Sequence, residues 1–519
     1  MPGDEVTPKP LTNTTTAIRR GLAGVGLIMT FGLWACGGSS PAIQTQQPAT
    51  VSLAISPDSA TVAAAGEQQF TANVAVIWQV DGVGGGSADT GTISTTGLYT
   101  APATAVSVKV NAISQADNSK SASAGVSVLA PHRIGVRPTA SGFAEFYDRN
   151  TDNAFTPRGS NYIRLASQID TGGNATYYHS TFNVGVYDGN RAERALEEMQ
   201  TGGYNAVRVF LNGCCQNSIG NPAGGLASSY IANLVDFLHR AQAHGIYVIL
   251  TTDWVPSYGG YTDHYSACNQ FGNYNTLNLC AGGVAANTSF FHDLVEALIV
   301  QSAALDAVFA FELRNEYYYD SDQAPLNQPS GMVTTANGKA YDMSSASSKQ
   351  QMMDEGLTYF TDQVRGAILS VDPTALVTVG FFWPQQPNPS RIGDPRLITV
   401  YPAMANSTAD FVDIHGYSIP GDLTVPQLMQ NYGPTGQEEK PVLMAEFGAF
   451  KSDYPVISDA ASALQNWQVD TCPYQVKGWL LWTWDTEEPE QVPPLWATMS
   501  GDGSINKILA PAFRSDPCH

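Results

Sequence analysis

Charged side chains are scarce in this sequence, and positive ones are the scarcest. Only 14% of the 519 residues are charged, and 25 Lys and Arg stand against 46 Asp and Glu, which gives a net charge of −21. Binding to a phosphate backbone depends on clustered positive charge. The composition therefore argues against a nucleic acid as partner, and the length predicts two or three folded units rather than one core.

A hydrophobic run long enough to cross a bilayer is also missing near the start of the chain. The uncharged run from Gly21 to Ala35 is short for a membrane span and typical of an export signal. Its end, LWAC, resembles the lipobox of bacterial lipoproteins. This resemblance implies a signal peptide over residues 1–36, lipidation of Cys36, and membrane contact only through an N-terminal lipid anchor. The alternative is an ordinary secretory signal with a chance cysteine.

Cysteine and histidine pairs with the spacing of a zinc site are absent, so neither a metal nor a cofactor is expected. Without Cys36 the chain has six cysteines, an even number that favours disulfides in an exported protein. A bridge from Cys472 to Cys518 would fasten the C-terminus near the last strand, and Cys268 with Cys280 could close one loop. For the two adjacent cysteines a vicinal bridge and two long-range bridges both stay open: these are Cys214 and Cys215.

Two segments of different composition precede the largest part of the chain. Residues 37–50 are rich in Ser, Pro, Gln and Thr and predict a linker without a core. In residues 51–130, stretches such as VIWQV and VSVKVNAIS alternate apolar and polar side chains, which predicts a small β-sandwich. Trp78 and the segment GTISTTGLYTAP at 91–102 resemble the bacterial immunoglobulin-like group 2 domain, which implies a spacer or adhesive module.

From residue 131 to 519, short apolar strands alternate with helical segments. The eight predicted strands are FTPRGSNYI (155–163), NAVRVFL (205–211), IYVILTTDW (246–254), AVFAFELRNE (307–316), ALVTVGFFW (375–383), DFVDIHGYS (410–418), VLMAEFG (442–448) and KGWLLWTWD (477–485). The predicted helices are Arg191–Gly202, Ser229–Gly245, Phe290–Leu305, Ser347–Leu369 and Ile457–Val469.

Eight strands of parallel type in alternation with helices predict an α/β fold, a (β/α)8 TIM barrel that follows the all-β sandwich. A doubly wound open sheet is the alternative. It usually has a glycine-rich phosphate turn after its first strand, and PRGSNY is not such a turn.

Polar residues stand at the carboxyl ends of these strands, where a barrel of this type carries its chemistry. Taken singly, each is weak evidence, since a glutamate after a strand is usually a solvated loop residue and a lone histidine or tryptophan is usually structural. A buried arginine needs an acidic partner whatever its role. The joint pattern is more informative, and its members are Arg208, Asn315, Glu316, His415, Tyr417, Glu446 and Trp482.

The order Arg, Asn-Glu, His-x-Tyr, Glu, Trp on strands two, four, six, seven and eight resembles the retaining β-glycoside hydrolases of clan A, most nearly family 5. The resemblance implies Glu316 as general acid/base and Glu446 as nucleophile. It further implies that Asn315 binds the sugar 2-hydroxyl and that Arg208 supports Glu446. His415 and Tyr417 would contact the sugar or the nucleophile, and Trp482 would stack under the ring. The Leu-Arg pair before Asn315 departs from the usual family pattern.

The chemistry of two carboxyl groups is also sufficient in itself. A pair about 5 to 5.5 Å apart supports double displacement, with one acid protonated and the other ionised, and no metal is needed. Aromatic residues crowd the same end of the predicted barrel, among them Trp254 and Trp383, and flat rings suit the faces of sugars. About half of these aromatic residues are expected to pack the loops instead.

The sequence thus predicts an exported, lipid-anchored, monomeric retaining β-glycosidase that cuts within a β-linked polysaccharide or oligosaccharide. β-Glucan is the first expectation and β-mannan the second. Two alternatives stay open. One is a non-catalytic glycan-binding or adhesive surface lipoprotein, against which the presence of both acids argues. The other is a transglycosylase that uses the same site.

Overall fold

The computed structural model describes residues 52–272, 274–385, 396–397, 400, 406–433, 439–484 and 504–518. The predicted signal peptide with Cys36 and the predicted linker lie outside these described residues. Within them, an all-β region comes first along the chain and an α/β barrel follows, as the sequence predicts.

The all-β region consists of two main sheets that enclose a core around Trp78, Phe70 and Tyr99. A five-stranded sheet has the order β2-β11-β10-β5-β6, a four-stranded sheet has the order β3-β9-β8-β7, and β1 pairs with β4. Its strands are β1 Ile55–Ser56, β2 Ser59–Val62, β3 Glu67–Gln69, β4 Thr71–Ala72, β5 Val76–Val80, β6 Val83–Gly84, β7 Gly86–Ser87, β8 Gly91–Ile93, β9 Leu98–Thr100, β10 Val106–Ser114 and β11 Ser121–Val128.

The barrel is a ring of parallel strands in the order β23-β19-β18-β17-β14-β28-β27-β26-β24. Its strands are almost wholly buried on both faces, which is why they read as continuous apolar runs. They are β14 Arg158–Tyr162, β17 Ala206–Leu211, β18 Tyr247–Thr252, β19 Val308–Glu312, β23 Val377–Thr378, β24 Gly380–Phe381, β26 Val412–Tyr417, β27 Val442–Gly448 and β28 Val476–Trp484.

The fifth barrel strand differs from its prediction as one strand over 375–383. It is divided at Val379, so that β23 pairs with β19 while β24 pairs with β26. Because each half pairs with a different neighbour, the two short pieces together close the ring.

Helices cover the outside of the ring. They are α1 Gly189–Thr201, α2 Ser228–Ala243, α3 Ala281–Val300, α4 Ala346–Val371, α5 Val425–Tyr432, α6 Ile457–Thr471 and α7 Ser504–Ile508. Four short 3-10 helices complete them: Tyr261–Ala267, Tyr274–Leu279, Leu305–Ala307 and Cys472–Tyr474. The third helix was predicted at Phe290–Leu305 and starts earlier. Its first turns, AGGVAANTS, contain two glycines and few large apolar residues, which hides them from periodicity.

Four two-stranded pairings decorate the barrel. The hairpin β12 Ile134–Pro138 with β13 Ala144–Asp148 closes its amino end, because Phe146 packs edge-on against Phe309 and Phe411 at 5.2 Å each. The others are β15 Leu165–Ile169 with β16 Ala175–His179, β20 Tyr319–Asp320 with β25 Arg396–Leu397, and β21 Met332–Thr334 with β22 Ala340–Asp342.

Three disulfides join the six predicted cysteines. Cys472 is bonded to Cys518 and Cys268 to Cys280, as expected. Of the two possibilities left open for the adjacent pair, the structure has the vicinal bridge, Cys214–Cys215. Disulfides are typical of proteins outside the cytosol. Among the described helices, none combines the length and the apolar character that a membrane span requires.

Candidate active site

Arg208 lies at the centre of a polar cluster inside the carboxyl end of the barrel. Its side chain is fully buried on β17. Nε and Nη2 donate to the two oxygens of Glu312 at 2.6 and 2.7 Å, and Nη1 donates to Oε1 of Glu446 at 2.5 Å. Burial opposes the charge of Arg208, but the carboxylates of Glu312 and Glu446 outweigh it and raise the pKa of Arg208 further. The sequence predicts an acidic partner for Arg208, and the structure has two, Glu312 and Glu446.

Two further strands, β14 and β24, also contribute to this cluster. On β14, Asn161 accepts from Arg208 Nη1 at 3.0 Å, and its own amide donates to the carbonyl of Ala445 at 2.9 Å. On β24, a Cβ placed on Gly380 would lie 2.3 Å from Oε1 of Glu312. Only a glycine leaves space here for the carboxylate that holds Arg208.

Glu446 lies on β27 and is almost buried, with 3% of its side chain exposed. Arg208 donates to one of its oxygens, and the hydroxyl of Tyr417 donates to the other at 2.7 Å. Burial raises the pKa of Glu446, and these two donors oppose the rise. The carboxylate is thus desolvated, yet both of its oxygens are held by hydrogen bonds that favour the ionised form.

Glu316 follows β19 and is more accessible, with 27% of its side chain exposed. Its backbone has φ of 44°, a left-handed conformation that is uncommon for a residue other than glycine. The flanking amides hold it in place, since Asn315 N donates to Thr252 O at 2.8 Å and Tyr317 N donates to Gly380 O at 2.7 Å. Strands on both sides therefore aim Glu316 at the mouth of the barrel.

His415 lies between the two acids. Its Nδ1 is 3.3 Å from Oε1 of Glu316 and 3.4 Å from Oε2 of Glu446. An oxygen of each carboxyl and a nitrogen of His415 all lie within 4.8 Å of one another. The structure therefore brings together the two acids that the sequence places 130 positions apart.

Asn315 is oriented from two sides. Its Oδ1 accepts from Arg208 Nη2 at 2.6 Å, and its Nδ2 donates to Asp253 Oδ1 at 2.9 Å. With both ends of the amide fixed, the side chain has one orientation beside Glu316.

Aromatic rings form the walls around the acids. Tyr417 stacks on Phe450 at 5.1 Å and meets Trp383 edge-on at 5.9 Å. Trp482 packs against Phe210 at 5.9 Å, on the other side of the same small cluster. Trp254 is partly exposed in the loop after β18, where its backbone carbonyl accepts from the hydroxyl of Thr252.

Other aromatic residues of the same loops pack instead of facing the site. Tyr317 and Tyr319 are buried, and their hydroxyls bond to each other at 3.1 Å. Tyr261 is buried as well and donates to Asp293. The expectation that part of the aromatic set is structural is therefore correct for these three.

Four polar residues of this region were not predicted from the sequence: Glu312, Asp413, Asp253 and His179. Glu312 is an acid inside an apolar strand and could have been matched to Arg208, since each needs a buried partner. His179 contacts the rings of Phe210 and Trp482 at 4.1 and 6.1 Å. It comes from the β15–β16 hairpin, for which no sequence pattern had been recognised.

Among the residues that the structure describes, three groups of side chains are close enough to share a metal ion: His292, Asp293 and Glu296; Glu312, Asp413 and His415; and Glu316, His415 and Glu446. In the last two, Arg208 already neutralises Glu312 and Glu446 through direct ion pairs. This fixed positive charge disfavours a cation at the same carboxylates.

The family model for cellulase (glycosyl hydrolase family 5) matches residues 167–488, which is more than half of the chain. The chain belongs to glycosyl hydrolase family 5. No curated protein sequence matches it significantly.

Mannanases are among the solved structures similar to this family 5 chain. An endo-1,4-β-mannanase from Rhizomucor miehei has a TM-score of 0.50 and 13% identity over 73% of this chain and 97% of its own. A β-mannanase from Mytilus edulis has a TM-score of 0.43 and 16% identity over 75% of this chain and 98% of its own. At such identities the first likeness establishes the barrel fold only.

Proposed function

We propose that this family 5 glycosidase is a retaining enzyme that cleaves β-linked polysaccharides or oligosaccharides within the chain. The observation that carries the proposal is the pair of carboxyl groups with oxygens within 4.8 Å of each other at the mouth of the barrel. Retaining glycosidases hold their two carboxyl groups about 5 to 5.5 Å apart, whereas inverting ones need about 6.5 to 9.5 Å to admit a water molecule.

Glu446 is proposed as the nucleophile. Arg208 and Tyr417 donate to its two oxygens and so keep it ionised and oriented toward the anomeric carbon. When the carboxylate attacks, it forms a neutral ester bond, and the negative charge ends on Glu316, which gives its proton to the leaving oxygen. The sugar is then covalently attached to Glu446, and the bond to the leaving oxygen breaks.

Glu316 is proposed as the general acid and base. It would give its proton to the leaving oxygen in the first step and take one from water in the second. Its greater exposure, 27% against 3% for Glu446, suits a group that must exchange protons with solvent. Asn315 would bind the sugar 2-hydroxyl, and Trp482 would stack beneath the ring.

The substrate is proposed to be β-glucan first and β-mannan second. The similarity of the barrel to an endo-1,4-β-mannanase supports testing β-mannan beside β-glucan. Trp254 and Trp383 are partly exposed in the loops after the third and fifth barrel strands and would contact sugars beyond the cleaved bond. Cleavage within a chain is proposed because such flanking rings suit a polymer.

Two variants test the assignment on an activated aryl β-glycoside. Glu446→Gln should abolish turnover, because the amide cannot attack. Glu316→Ala should slow turnover, and added azide should partly restore it, because the small anion reaches the sugar of the covalent intermediate without needing a general base. Asp152→Asn, at an exposed position in the β12–β13 region, serves as control. Full activity in both glutamate variants would remove the assignment of roles to Glu316 and Glu446. Absence of turnover in the wild-type protein would favour a glycan-binding protein, and sugar acceptors that compete with water would indicate a transglycosylase.

We also propose export with a lipid anchor at Cys36 and a spacer role for the all-β region. The three disulfides support export, because such bonds persist in oxidising compartments. A Cys36→Ala protein should move from the detergent phase to the aqueous phase on partitioning. Its continued retention in the detergent phase would exclude the anchor.

A further inference from the structure

Below the catalytic acids, Asp413 lies two residues before His415 on β26. Both side chains are fully buried. Oδ1 of Asp413 is 3.7 Å from Nε2 of His415. Within the described part of the chain, neither oxygen of Asp413 accepts a hydrogen bond. Nε2 of His415 has no hydrogen-bond partner there either. Buried polar atoms are almost always paired, so these atoms need an explanation.

The other nitrogen of His415 decides where its proton lies. Nδ1 faces oxygens of both Glu316 and Glu446, and the Glu446 oxygen also accepts from Tyr417. That oxygen belongs to an ionised carboxylate in the proposed mechanism and cannot donate. A bare Nδ1 would therefore meet a lone pair at 3.4 Å, whereas an Nδ1–H group is attracted by both acids.

His415 carries only this one proton. Burial lowers the pKa of His415 to about 4, and the positive charge of Arg208 contributes to the lowering. At neutral pH the ring is thus uncharged, with hydrogen on Nδ1 and a lone pair on Nε2. That lone pair points at Asp413, so an ionised Asp413 would place two acceptors against each other.

The surroundings of Asp413 favour its neutral form. Glu312 from β19 and Glu446 from β27 face it with negative charge, while Arg208 from β17 is the positive group nearby. Burial, and then the charge of Glu312, raise the pKa of Asp413 well above its usual range, although Arg208 opposes this. Arg208 is already shared between two carboxylates. Glu312 also competes for the proton of Asp413, because a hydrogen bond between the two carboxyl groups is one of the causes that raise this pKa.

We propose that Asp413 is a positioning residue, which as a neutral carboxylic acid donates its proton to Nε2 of His415 and so holds His415 in the Nδ1–H form that faces both catalytic acids. His415 then stays uncharged while Glu446 forms and releases the ester bond and Glu316 gives up and regains its proton. This inference rests on the proposed function for its catalytic consequence, but its structural core does not depend on activity.

The first test locates the proton directly. In protein labelled with ¹⁵N at histidine, with His415 assigned through a His415→Gln variant, Nε2 of His415 should resonate as an unprotonated acceptor and Nδ1 as protonated at neutral pH. His132 is an internal reference for a ring nitrogen that donates: its Nε2 is 2.7 Å from Asp372 Oδ2, and its Nδ1 is 2.8 Å from the carbonyl oxygen of Val308, which can only accept. A proton on Nε2 of His415 would overturn the proposal, whether or not the protein hydrolyses glycosides.

The second test separates positioning from folding. Asp413→Leu removes the donor at similar volume and should lower kcat about 10–100-fold with KM changed much less. Asp413→Asn keeps an N–H donor without a charge and should restore most of that loss. Asp372→Leu makes the same change in the buried Asp–His pair at the amino end of the barrel, and should lower stability while kcat per folded molecule is kept. A folded Asp413→Asn protein as impaired as Asp413→Leu would show that a carboxylate, not a donor, is needed, and would contradict the proposal.

Discussion

At the scale of single residues, the site depends on how one buried arginine is shared. Arg208 is bonded to Glu312 by two hydrogen bonds and to Glu446 by one, so the structural carboxylate takes more of its donors than Glu446 does. The single hydrogen bond from Arg208 therefore offsets only part of the free energy that it costs to bury the charge of Glu446. This division explains why the pKa of Glu446 is raised despite an arginine at contact distance.

The raised pKa gives a prediction for pH dependence. Glu446 must be ionised to attack, so kcat/KM should fall as the pH drops through its pKa, and the acidic limb should lie above the usual glutamate value of about 4.3. Tyr417→Phe removes the hydroxyl that donates to Glu446 at 2.7 Å, so the ionised carboxylate is less stable. The acidic limb of the pH profile should therefore move upward by about one pH unit.

The control for this measurement is Tyr454→Phe. The hydroxyl of Tyr454 bonds to Ser418 at 2.8 Å, whereas the two oxygens of Glu446 are held by Arg208 and Tyr417. This variant should leave the acidic limb where it is. If kcat/KM of Tyr417→Phe fell at the same pH as in the wild type, or at a lower pH, Tyr417 would not stabilise the ionised carboxylate.

Most residues that touch the proposed reaction centre were predicted, because each stands at the carboxyl end of a buried strand and its type is unusual there. Arg208, Asn315, His415, Tyr417 and Glu446 all lie in one hydrogen-bonded cluster with Glu316. Glu312 and Asp413 were missed because their roles depend on depth inside the barrel. Depth follows from strand register, which a single strand's sequence does not reveal.

At the scale of secondary-structure elements, the divided fifth strand combines two tasks. Its first half closes the ring against β19, and its second half presents Gly380 to Glu312. A side chain at this position would have to displace the carboxylate that orients Arg208. The strand is short and interrupted at the place where its backbone approaches the carboxylate of Glu312.

This crowding predicts the effect of one added methyl group. Gly380→Ala should push Glu312 away, lower stability by about 1–3 kcal/mol as overpacking does, and reduce kcat as well. Gly366→Ala is the matched control, because nothing lies within 4 Å of a Cβ there and the residue is in the middle of α4. It should stabilise the protein by about 0.5–1 kcal/mol. Urea unfolding and steady-state kinetics on both variants check this, and an unchanged Gly380→Ala enzyme would contradict the packing argument.

Element boundaries were predicted well where apolar periodicity was strong. β17, β18, β27 and α2 lie within a few residues of their predicted limits. The helix α5 was not predicted, although Thr424 and Gln427 form a capping box that the sequence contains. At eight residues it is too short for periodicity to stand out.

At the scale of the whole molecule, the fold class follows from the sequence because strand and helix patterns alternate over a long stretch. The closed parallel ring and the all-β region before it are both as predicted. The disulfides Cys268–Cys280 and Cys472–Cys518 follow from their positions along the chain. The vicinal pair had no such indication, because adjacent cysteines are compatible with local and distant bridges alike. The glycan is least predictable, since it depends on loop geometry that the strand motifs do not encode.

The central claim is that Glu446 becomes covalently bonded to the sugar while Glu316 serves as acid and base. The most direct measurement is mass spectrometry of the protein after reaction with a 2-deoxy-2-fluoro β-glycoside that carries a good leaving group, because the fluorine slows release of the intermediate. The account predicts one added glycosyl unit on the peptide that contains Glu446, and none in Glu446→Gln. A label on the peptide of Glu316, or inverted products without any labelled enzyme, would contradict it.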